Sequence, residues 1–341
     1  MSLIVSHLHK TYGEKTVVED LSFEMKEPGV YALLGTNGAG KTTSIRMMLG
    51  MLAKDGGEVL WNGAPLQTET CNVGYLAEER GLYPKYSLMD QLLYFARLRG
   101  VPQSEAKERI RYWAKRLEAE EYLYADAARA SENPEDECGE EDDDEGKAGK
   151  ESNKKRRKKA RAFKSKLADQ LSKGNQQKIQ FMIALISDPE LIILDEPLSG
   201  LDPVNTDLFK GIIRDEINKG KYLLMSSHQM ATVEEFCSDI TILDRSRTVL
   251  QGNLNDIKKS YVRVNLHLKT EKDAAPYIAA CGAQLLTEKE YEYQIRVRGE
   301  EQANQLLGAL ITAGVPVITF DLREPSLHEI FVEKVGDRHG E

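Results

Sequence analysis

The residues that decide the fold read Val30-Tyr31-Ala32-Leu33-Leu34-Gly35-Thr36-Asn37-Gly38-Ala39-Gly40-Lys41-Thr42. The first five form a continuous apolar run, which is typical of a strand covered on both faces. The rest fits the pattern G-x-x-x-x-G-K-[ST], and we expect a helix to begin near Thr43. A strand, a glycine-rich loop and a helix in this order indicate a phosphate-binding site. The alternative is a glycine-rich turn with a surface lysine, which leaves this order of elements unexplained.

The residue types of the loop explain how it would bind phosphate. Glycines let backbone N–H groups converge on phosphate oxygens, and the helix N-terminus adds positive potential. Lys41 supplies a mobile charge for the β and γ phosphates, and Thr42 is expected to ligate Mg²⁺ through its hydroxyl. The residues expected to bind the nucleotide here are Gly35, Thr36, Asn37, Gly38, Ala39, Gly40, Lys41, Thr42 and Thr43.

A second apolar run, Leu191 to Leu194, ends in the carboxylates Asp195 and Glu196. Ligands of open α/β sheets bind at the carboxyl edge of the strands, where these two residues are expected. Asp195 is suited to hold Mg²⁺, usually through water, and Glu196 to orient or deprotonate an attacking water. An Asp-Glu pair after a strand is common by itself. After a phosphate loop it indicates nucleotide hydrolysis.

The pattern from Leu3 to about Ile257 alternates short β-rich runs with helical stretches. Further continuous runs at Tyr222 to Met225 and Ile240 to Leu243 predict an α/β domain around a mostly parallel sheet. Two amphipathic helices, Met89 to Leu98 and Glu105 to Leu117, are predicted within a helical insertion that begins at Tyr83.

A charged segment from about Asp126 to Lys166 interrupts the helical insertion. Its acidic first part and basic second part carry equal numbers of charges, and Phe163 is its one aromatic residue. Such a composition buries too little apolar surface to repay its ordering entropy, so we expect a disordered loop. The alternative is that Lys154 to Lys159 form a patch for nucleic acid or lipid.

After about Ser260 the pattern predicts the order β-α-β-β-α-β, which suggests a small split βαβ sandwich. Ser326 and Glu329 have capping-box spacing ahead of Ile330, so a short terminal helix is expected. This part of the sequence has no cluster of catalytic residue types.

The composition restricts the class of protein. The 341 residues suit two or three domains at about 100 to 200 residues each. The net charge of −9 argues against a nucleic-acid binder that relies on overall positive charge. No apolar run reaches the ~18 to 20 residues that cross a bilayer, and no signal peptide is evident, so we expect a cytoplasmic protein. Free thiols are expected at all the cysteines, which are Cys71, Cys138, Cys237 and Cys281.

With these motifs and four further features, the chain resembles the nucleotide-binding subunit of an ABC transporter. Leu171-Ser172-Lys173-Gly174-Asn175-Gln176-Gln177 resembles the family's signature segment, whose Ser172 and Gly174 positions approach the γ phosphate. Ser199-Gly200-Leu201-Asp202 resembles the segment that follows the catalytic glutamate. His228, in Ser226-Ser227-His228, stands at the switch-histidine position, where it is suited to donate to a γ-phosphate oxygen. Tyr12 stands where the family places an aromatic residue under the adenine ring, although a tyrosine there taken alone would suit packing.

The chain departs from the family pattern in two places. After Gly74-Tyr75-Leu76, where the family usually has a glutamine, stand Ala77 and the carboxylate Glu78. Glu78 still offers an oxygen to Mg²⁺ but adds negative charge beside the nucleotide. The signature has Lys173 and Asn175 in place of the commoner glycine and glutamine.

The resemblance implies an α/β fold of the P-loop NTPase class and ABC ATPase type. The ATPase domain is predicted at 1–257, with a helical subdomain at about 83–180 that contains the disordered charged insertion at about 126–166. A small C-terminal α+β accessory domain, similar to that of bacterial exporter-type subunits, is predicted at 261–341.

The resemblance also implies the chemistry and the partners. ATP and Mg²⁺ are the expected cofactors, Glu196 and His228 the catalytic residues, and Thr42, Glu78 and Asp195 the metal-binding residues. A head-to-tail homodimer or heterodimer would enclose two ATP molecules and drive a separate transmembrane permease at the inner face of the cell membrane. No nucleic-acid partner is expected. Two alternatives remain, a soluble ATPase of this type acting on ribosomes or DNA and a catalytically weak regulatory subunit of a heterodimer.

Overall fold

The computed structural model describes residues 1–68, 70–79, 81–124, 165–261 and 264–336. The prediction of disorder for Asp126 to Lys166 falls outside these ranges, apart from Ser165 and Lys166. The same holds for the predicted free thiol of Cys138. Cys71, Cys237 and Cys281 are free, as predicted.

The chain forms two compact units, each built from several segments. The first contains Met1–His9, Ser22–Val30 and Thr42–Ser226, and the second contains Lys10–Leu21, Tyr31–Lys41 and Ser227–Glu341. The domain boundaries expected from the sequence, 1–257 and 261–341, stay a prediction.

The described strands and helices alternate over most of the chain. The strands are β1 Leu3–Tyr12, β2 Lys15–Met25, β3 Gly29–Gly35, β4 Gly56–Trp61, β5 Ala64–Pro65, β6 Val73–Leu76, β7 Leu191–Asp195, β8 Tyr222–Ser227, β9 Asp239–Asp244, β10 Arg247–Asn253, β11 Asn265–Thr270, β12 Gln284–Lys289, β13 Glu292–Arg296 and β14 Val317–Arg323. The α-helices are α1 Lys41–Met48, α2 Leu88–Leu98, α3 Gln103–Arg116, α4 Glu120–Leu123, α5 Lys173–Leu185, α6 Pro203–Asn218, α7 Met230–Phe236, α8 Leu254–Ser260, α9 Ala275–Ala280, α10 Glu300–Thr312 and α11 Leu327–Gly336. A 3₁₀ turn, Ala168–Gln170, precedes α5.

The first unit contains a parallel ladder in which β7 pairs with β6 on one side and β8 on the other. Every residue of β7 and β8 is buried, as their continuous apolar runs predicted. The register sets Asp195 opposite Ser226, at the carboxyl ends of the two strands. The parallel pairing therefore brings polar residues from separate parts of the sequence to one edge.

In the second unit, β3 pairs in parallel with β9, and β9 pairs antiparallel with β10. Tyr31 on β3 and Thr241 on β9 share a buried hydrogen bond of 2.6 Å. Burial is the main cause that raises the pKa of Tyr31 to about 12, so the hydroxyl stays protonated. β3 carries its apolar run directly to Gly35, where the phosphate loop begins.

The β-α-β-β-α-β order predicted near the C-terminus is confirmed. The strands form an antiparallel sheet in the order β12-β13-β11-β14, with Leu266, Tyr293 and Ile295 buried in a core shared with α9 and α10. The first strand begins at Asn265, while Val262 lies outside the described residues. The capping box is also confirmed, because Ser326 N donates to Glu329 Oε2 at 2.7 Å and Glu329 N donates to Ser326 Oγ at 3.3 Å.

The predicted strands and helices of the remaining chain are present with small shifts at their ends. The predicted helix near Thr43 begins earlier, at Lys41, because the lysine and threonine of the motif already form its first turn. In the described ranges, no helix combines the length and apolar character needed to span a membrane.

Candidate functional site

The phosphate loop of the second unit holds its lysine close to the loop backbone. Lys41 is 6% exposed, and its Nζ donates to the carbonyl oxygens of Gly35 at 2.8 Å and Thr36 at 3.3 Å. The amide of Ala39 donates back to Thr36 O at 3.1 Å. The backbone of the loop thus surrounds the Lys41 ammonium group. The group lies in the glycine-rich turn, where an anion would bind.

Two glycines of the loop are required by close backbone approach. Gly35 has φ of 153°, and a Cβ there would lie 2.4 Å from Leu243 O. Gly40 has φ of 106°, and a Cβ there would lie 2.5 Å from Val17 O. Because both contacts are to backbone oxygens, no side chain fits without displacing a strand or loop. The fold therefore requires glycine at both of these positions for steric reasons.

In the first unit, a buried cluster forms around Asp195, which is 1% exposed. Thr42 Oγ1 donates to Asp195 Oδ1 at 3.3 Å, and Ser226 Oγ donates to the same oxygen. The Glu196 amide donates to Ser226 Oγ at 2.9 Å. We call Thr42, Asp195, Glu196 and Ser226 the carboxylate cluster. It combines Thr42, Asp195 and Glu196, which were predicted separately from the sequence, with Ser226, for which no role was predicted.

The carboxylate cluster fits Mg²⁺ by the chemistry of its donors. A hydroxyl and a carboxylate, both hard oxygen ligands, meet at Thr42 and Asp195. Mg²⁺ bound with nucleotides usually takes one or two protein oxygens and completes its octahedron with phosphates and water. Thr42 and Asp195 are thus the residues that would hold the ion.

Glu196 is held in a sharp turn at the end of β7. It is 6% exposed and has φ of 50°, a left-handed conformation that is uncommon outside glycine, asparagine and aspartate. The turn is braced because Ser199 N donates to Glu196 O at 3.1 Å and Gln177 Nε2 of α5 donates to Pro197 O at 2.7 Å. The fold thereby fixes the backbone of Glu196 at the edge where the sequence predicted catalysis.

Tyr75 lies near the carboxylate cluster, on β6. Burial is the main cause that raises the pKa of Tyr75 to about 12, and the negative charge of Asp195 raises it further. Glu78, the predicted third metal ligand, is exposed in the segment after β6, and it makes no hydrogen bond or ion pair with any described residue. The structure brings Thr42 and Asp195 into contact, and among the described residues Glu78 makes no hydrogen bond to either of them.

The signature segment begins α5. Ser172 is the N-cap, exposed to solvent, and its Oγ accepts from Asn175 N at 3.4 Å. A Cβ on Gly174 would lie 3.6 Å from side-chain atoms of Leu201 and Asn205, so this glycine lies beside the start of α6. Ser172 and Gly174 are therefore not part of the carboxylate cluster within one chain.

The remaining predicted residues, Tyr12 and His228, belong to the second unit. Tyr12 is 50% exposed, and Lys10 Nζ lies 5.2 Å from the centre of its ring. His228 is exposed directly after β8, where Ser227 Oγ accepts from Gln229 N at 2.9 Å. Both side chains are accessible to a ligand, and their roles toward adenine and γ phosphate stay predictions.

Comparison with known proteins gives matches along nearly the whole chain. The family model for ABC transporter matches residues 18–199, and the model for the ATP-binding protein DrrA1-3-like, C-terminal domain, matches residues 252–335. The uncharacterized ABC transporter ATP-binding protein YhaQ of Bacillus subtilis (strain 168) is 37% identical, over 98% of this chain and 98% of that protein.

Two further matches are a relative that is named for export and a solved structure. Nod factor export ATP-binding protein I of Paraburkholderia xenovorans (strain LB400) is 30% identical, over 71% of this chain and 68% of that protein. A solved ATP-binding subunit of an ABC transporter superposes with a TM-score of 0.59 at 25% identity, over 76% of this chain and 93% of that chain.

Proposed function

The chain belongs to the ATP-binding subunits of ABC transporters and is an ATPase, and from this premise we propose that it powers export of a substrate through a separate transmembrane permease. The export direction is supported by the similarity to a protein named for Nod factor export. The substrate named for that relative is not assigned to this chain. The permease would determine which substrate is transported.

The observation that carries the proposal is the carboxylate cluster. Ser226 donates to the Asp195 carboxylate and accepts from the Glu196 amide, so one buried hydroxyl fixes two neighbouring acidic residues in different ways. In this proposal Asp195, which accepts from Thr42, binds the metal, and the Glu196 carboxylate acts on water. Adjacent carboxylates with different partners suit the two tasks that hydrolysis needs.

Different residues of the chain have different roles toward ATP. Lys41 and the amides of residues 35–43 bind the phosphates, and Tyr12 stacks under adenine. Bound Mg²⁺ would neutralise charge on the β and γ phosphates. Glu196 accepts a proton from the attacking water, and His228 donates to a γ-phosphate oxygen.

Each ATP site is completed by a second copy or a paralogue. Ser172 is exposed at the start of α5 with Gly174 close behind it, so this segment is accessible to the γ phosphate held by a partner subunit. ATP would then close a head-to-tail dimer, and hydrolysis would open it, which is how the subunit would drive a permease.

Purification of the tagged chain from its own cells tests the proposal. We expect Mg²⁺-dependent ATP hydrolysis and co-purification with a multi-span membrane protein from detergent-solubilised membranes. Association with ribosomes or DNA would favour the soluble alternative. Nucleotide binding without turnover would favour the regulatory alternative.

A further inference from the structure

Arg46 lies one helical turn after Thr42 on α1, so their side chains share one face of the helix. Thr42 uses this face to reach Asp195. Arg46 uses it to reach the segment after β6, where its Nη2 lies 3.5 Å from Glu79 Oε1. The helix that begins in the phosphate loop therefore contacts both the metal carboxylate and the acidic segment that contains Glu78.

Glu79 is bound from a second element as well. Gln180 Nε2 on α5, the helix that begins at the signature segment, donates to Glu79 O at 3.4 Å. The side chain of Glu79 thus contacts α1, and its backbone contacts α5. One residue joins the helix that follows the phosphate loop to the helix that follows the signature.

The segment around Glu78 has room to move. Ala77 and Gly81 line a cavity of about 240 Å³ whose other walls include Phe95 and Gln180. On the cavity side this segment is not held by close packing. Its position therefore depends more on the polar contacts of Glu79.

Charge also favours an arginine at this place. Glu78 and Glu79 are consecutive carboxylates, and Asp195 acts on Tyr75 from the neighbouring strand. Arg46 pairs with Glu79 and acts electrostatically on Tyr75, so its positive charge offsets part of this negative potential.

We propose that Arg46 is a positioning residue, which by pairing with Glu79 fixes the segment that contains Glu78 relative to the phosphate-loop helix during ATP hydrolysis. The inference rests on the proposed function, since it concerns the same site. Arg46 acts through Glu79 and is not assigned any contact with the nucleotide.

The test is a double-mutant cycle on the full chain, with Arg46→Gln, Glu79→Gln and both together. Each single variant is expected to lower kcat about two- to fivefold with KM for Mg·ATP within about twofold, the range expected for a largely exposed ion pair. The double variant should be no slower than either single one, and Arg46→Lys should retain at least about half of the wild-type kcat. Hydrogen exchange of the amides of residues 77–79 should be faster in both single variants.

Lys26→Gln is the matched control, because the Lys26–Glu24 pair is likewise exposed, at 3.4 Å, but joins Glu24, at the end of β2, to the residue that follows the strand. It should change neither kcat nor the exchange of residues 77–79. Additive losses in the double variant, a raised KM alone, or unchanged exchange in Arg46→Gln would overturn the proposal. If the wild-type chain hydrolyses no ATP, the proposed function fails, and hydrogen exchange still tests the link between Arg46 and Glu79.

Discussion

Replacing Ser226 by alanine tests whether one hydroxyl holds the carboxylate cluster together. Ser226 is fully buried, and its Oγ donates to Asp195 Oδ1 and accepts from Glu196 N at 2.9 Å. Losing a hydrogen bond to a charged group costs about 1.5–3 kcal/mol, and a buried N–H left without its acceptor costs about 1–3 kcal/mol. Thr42 still donates to Asp195, which limits the loss, so we expect Ser226→Ala to lower the free energy of unfolding by about 2–4 kcal/mol.

Urea unfolding followed by tryptophan fluorescence measures this loss, with Ser227→Ala as the matched control. Ser227 is 5% exposed and is the next residue of the same strand, but its hydroxyl accepts from the neutral amide of Gln229 at 2.9 Å. The control should lose only about 0.5–1.5 kcal/mol. Equal losses in the two variants, or a loss under about 0.5 kcal/mol in Ser226→Ala, would show that the Ser226 hydroxyl does not hold the carboxylate cluster together.

Three further predictions concern the site and the charged segment. Glu196→Gln should abolish turnover but keep ATP bound in a stable dimer, whereas Lys41→Ala should lose binding; equal loss of ATP affinity in both, measured by equilibrium titration, would contradict the division of roles. Glu78→Gln should leave ATP affinity within about tenfold, or ~1.4 kcal/mol, and change permease-stimulated hydrolysis; a large affinity change with stimulation untouched would reverse the assignment. Replacing residues 126–161 with a short Gly/Ser linker should preserve basal ATPase activity, because closure entropy grows slowly with loop length; a fall as deep as that of Glu196→Gln would make the segment part of the catalytic machinery.

The parts of the fold that the sequence predicted are those where a local pattern had one strong interpretation. The apolar run Val30 to Leu34 predicted a strand buried on both faces, and the glycine-rich motif after it predicted a loop followed by a helix. The C-terminal β-α-β-β-α-β order was likewise visible because Leu266 and Leu268 alternate with polar residues and Ser326 and Glu329 form a capping box.

The contacts that depend on strand register were not predictable from local patterns. Ser226 stands in a serine pair that reads as the end of an apolar run, and its role follows from the parallel pairing that sets it opposite Asp195. The contact could have been predicted by aligning the carboxyl ends of the two apolar runs as parallel neighbours, which sets Ser226 opposite Asp195. The contact of Arg46 with Glu79 likewise depends on how α1 lies along β6, which no short stretch of sequence encodes.

Whether this subunit powers a transporter is tested by ATP hydrolysis of the chain reconstituted in proteoliposomes with the membrane protein that co-purifies with it. We predict that the membrane protein stimulates hydrolysis and that Glu196→Gln abolishes it. We also predict that a compound is moved away from the side of the membrane that carries the ATPase subunit only while ATP is hydrolysed. Hydrolysis that is indifferent to the membrane protein, in preparations where ribosomes or DNA co-purify, would contradict the claim that this subunit powers a transporter.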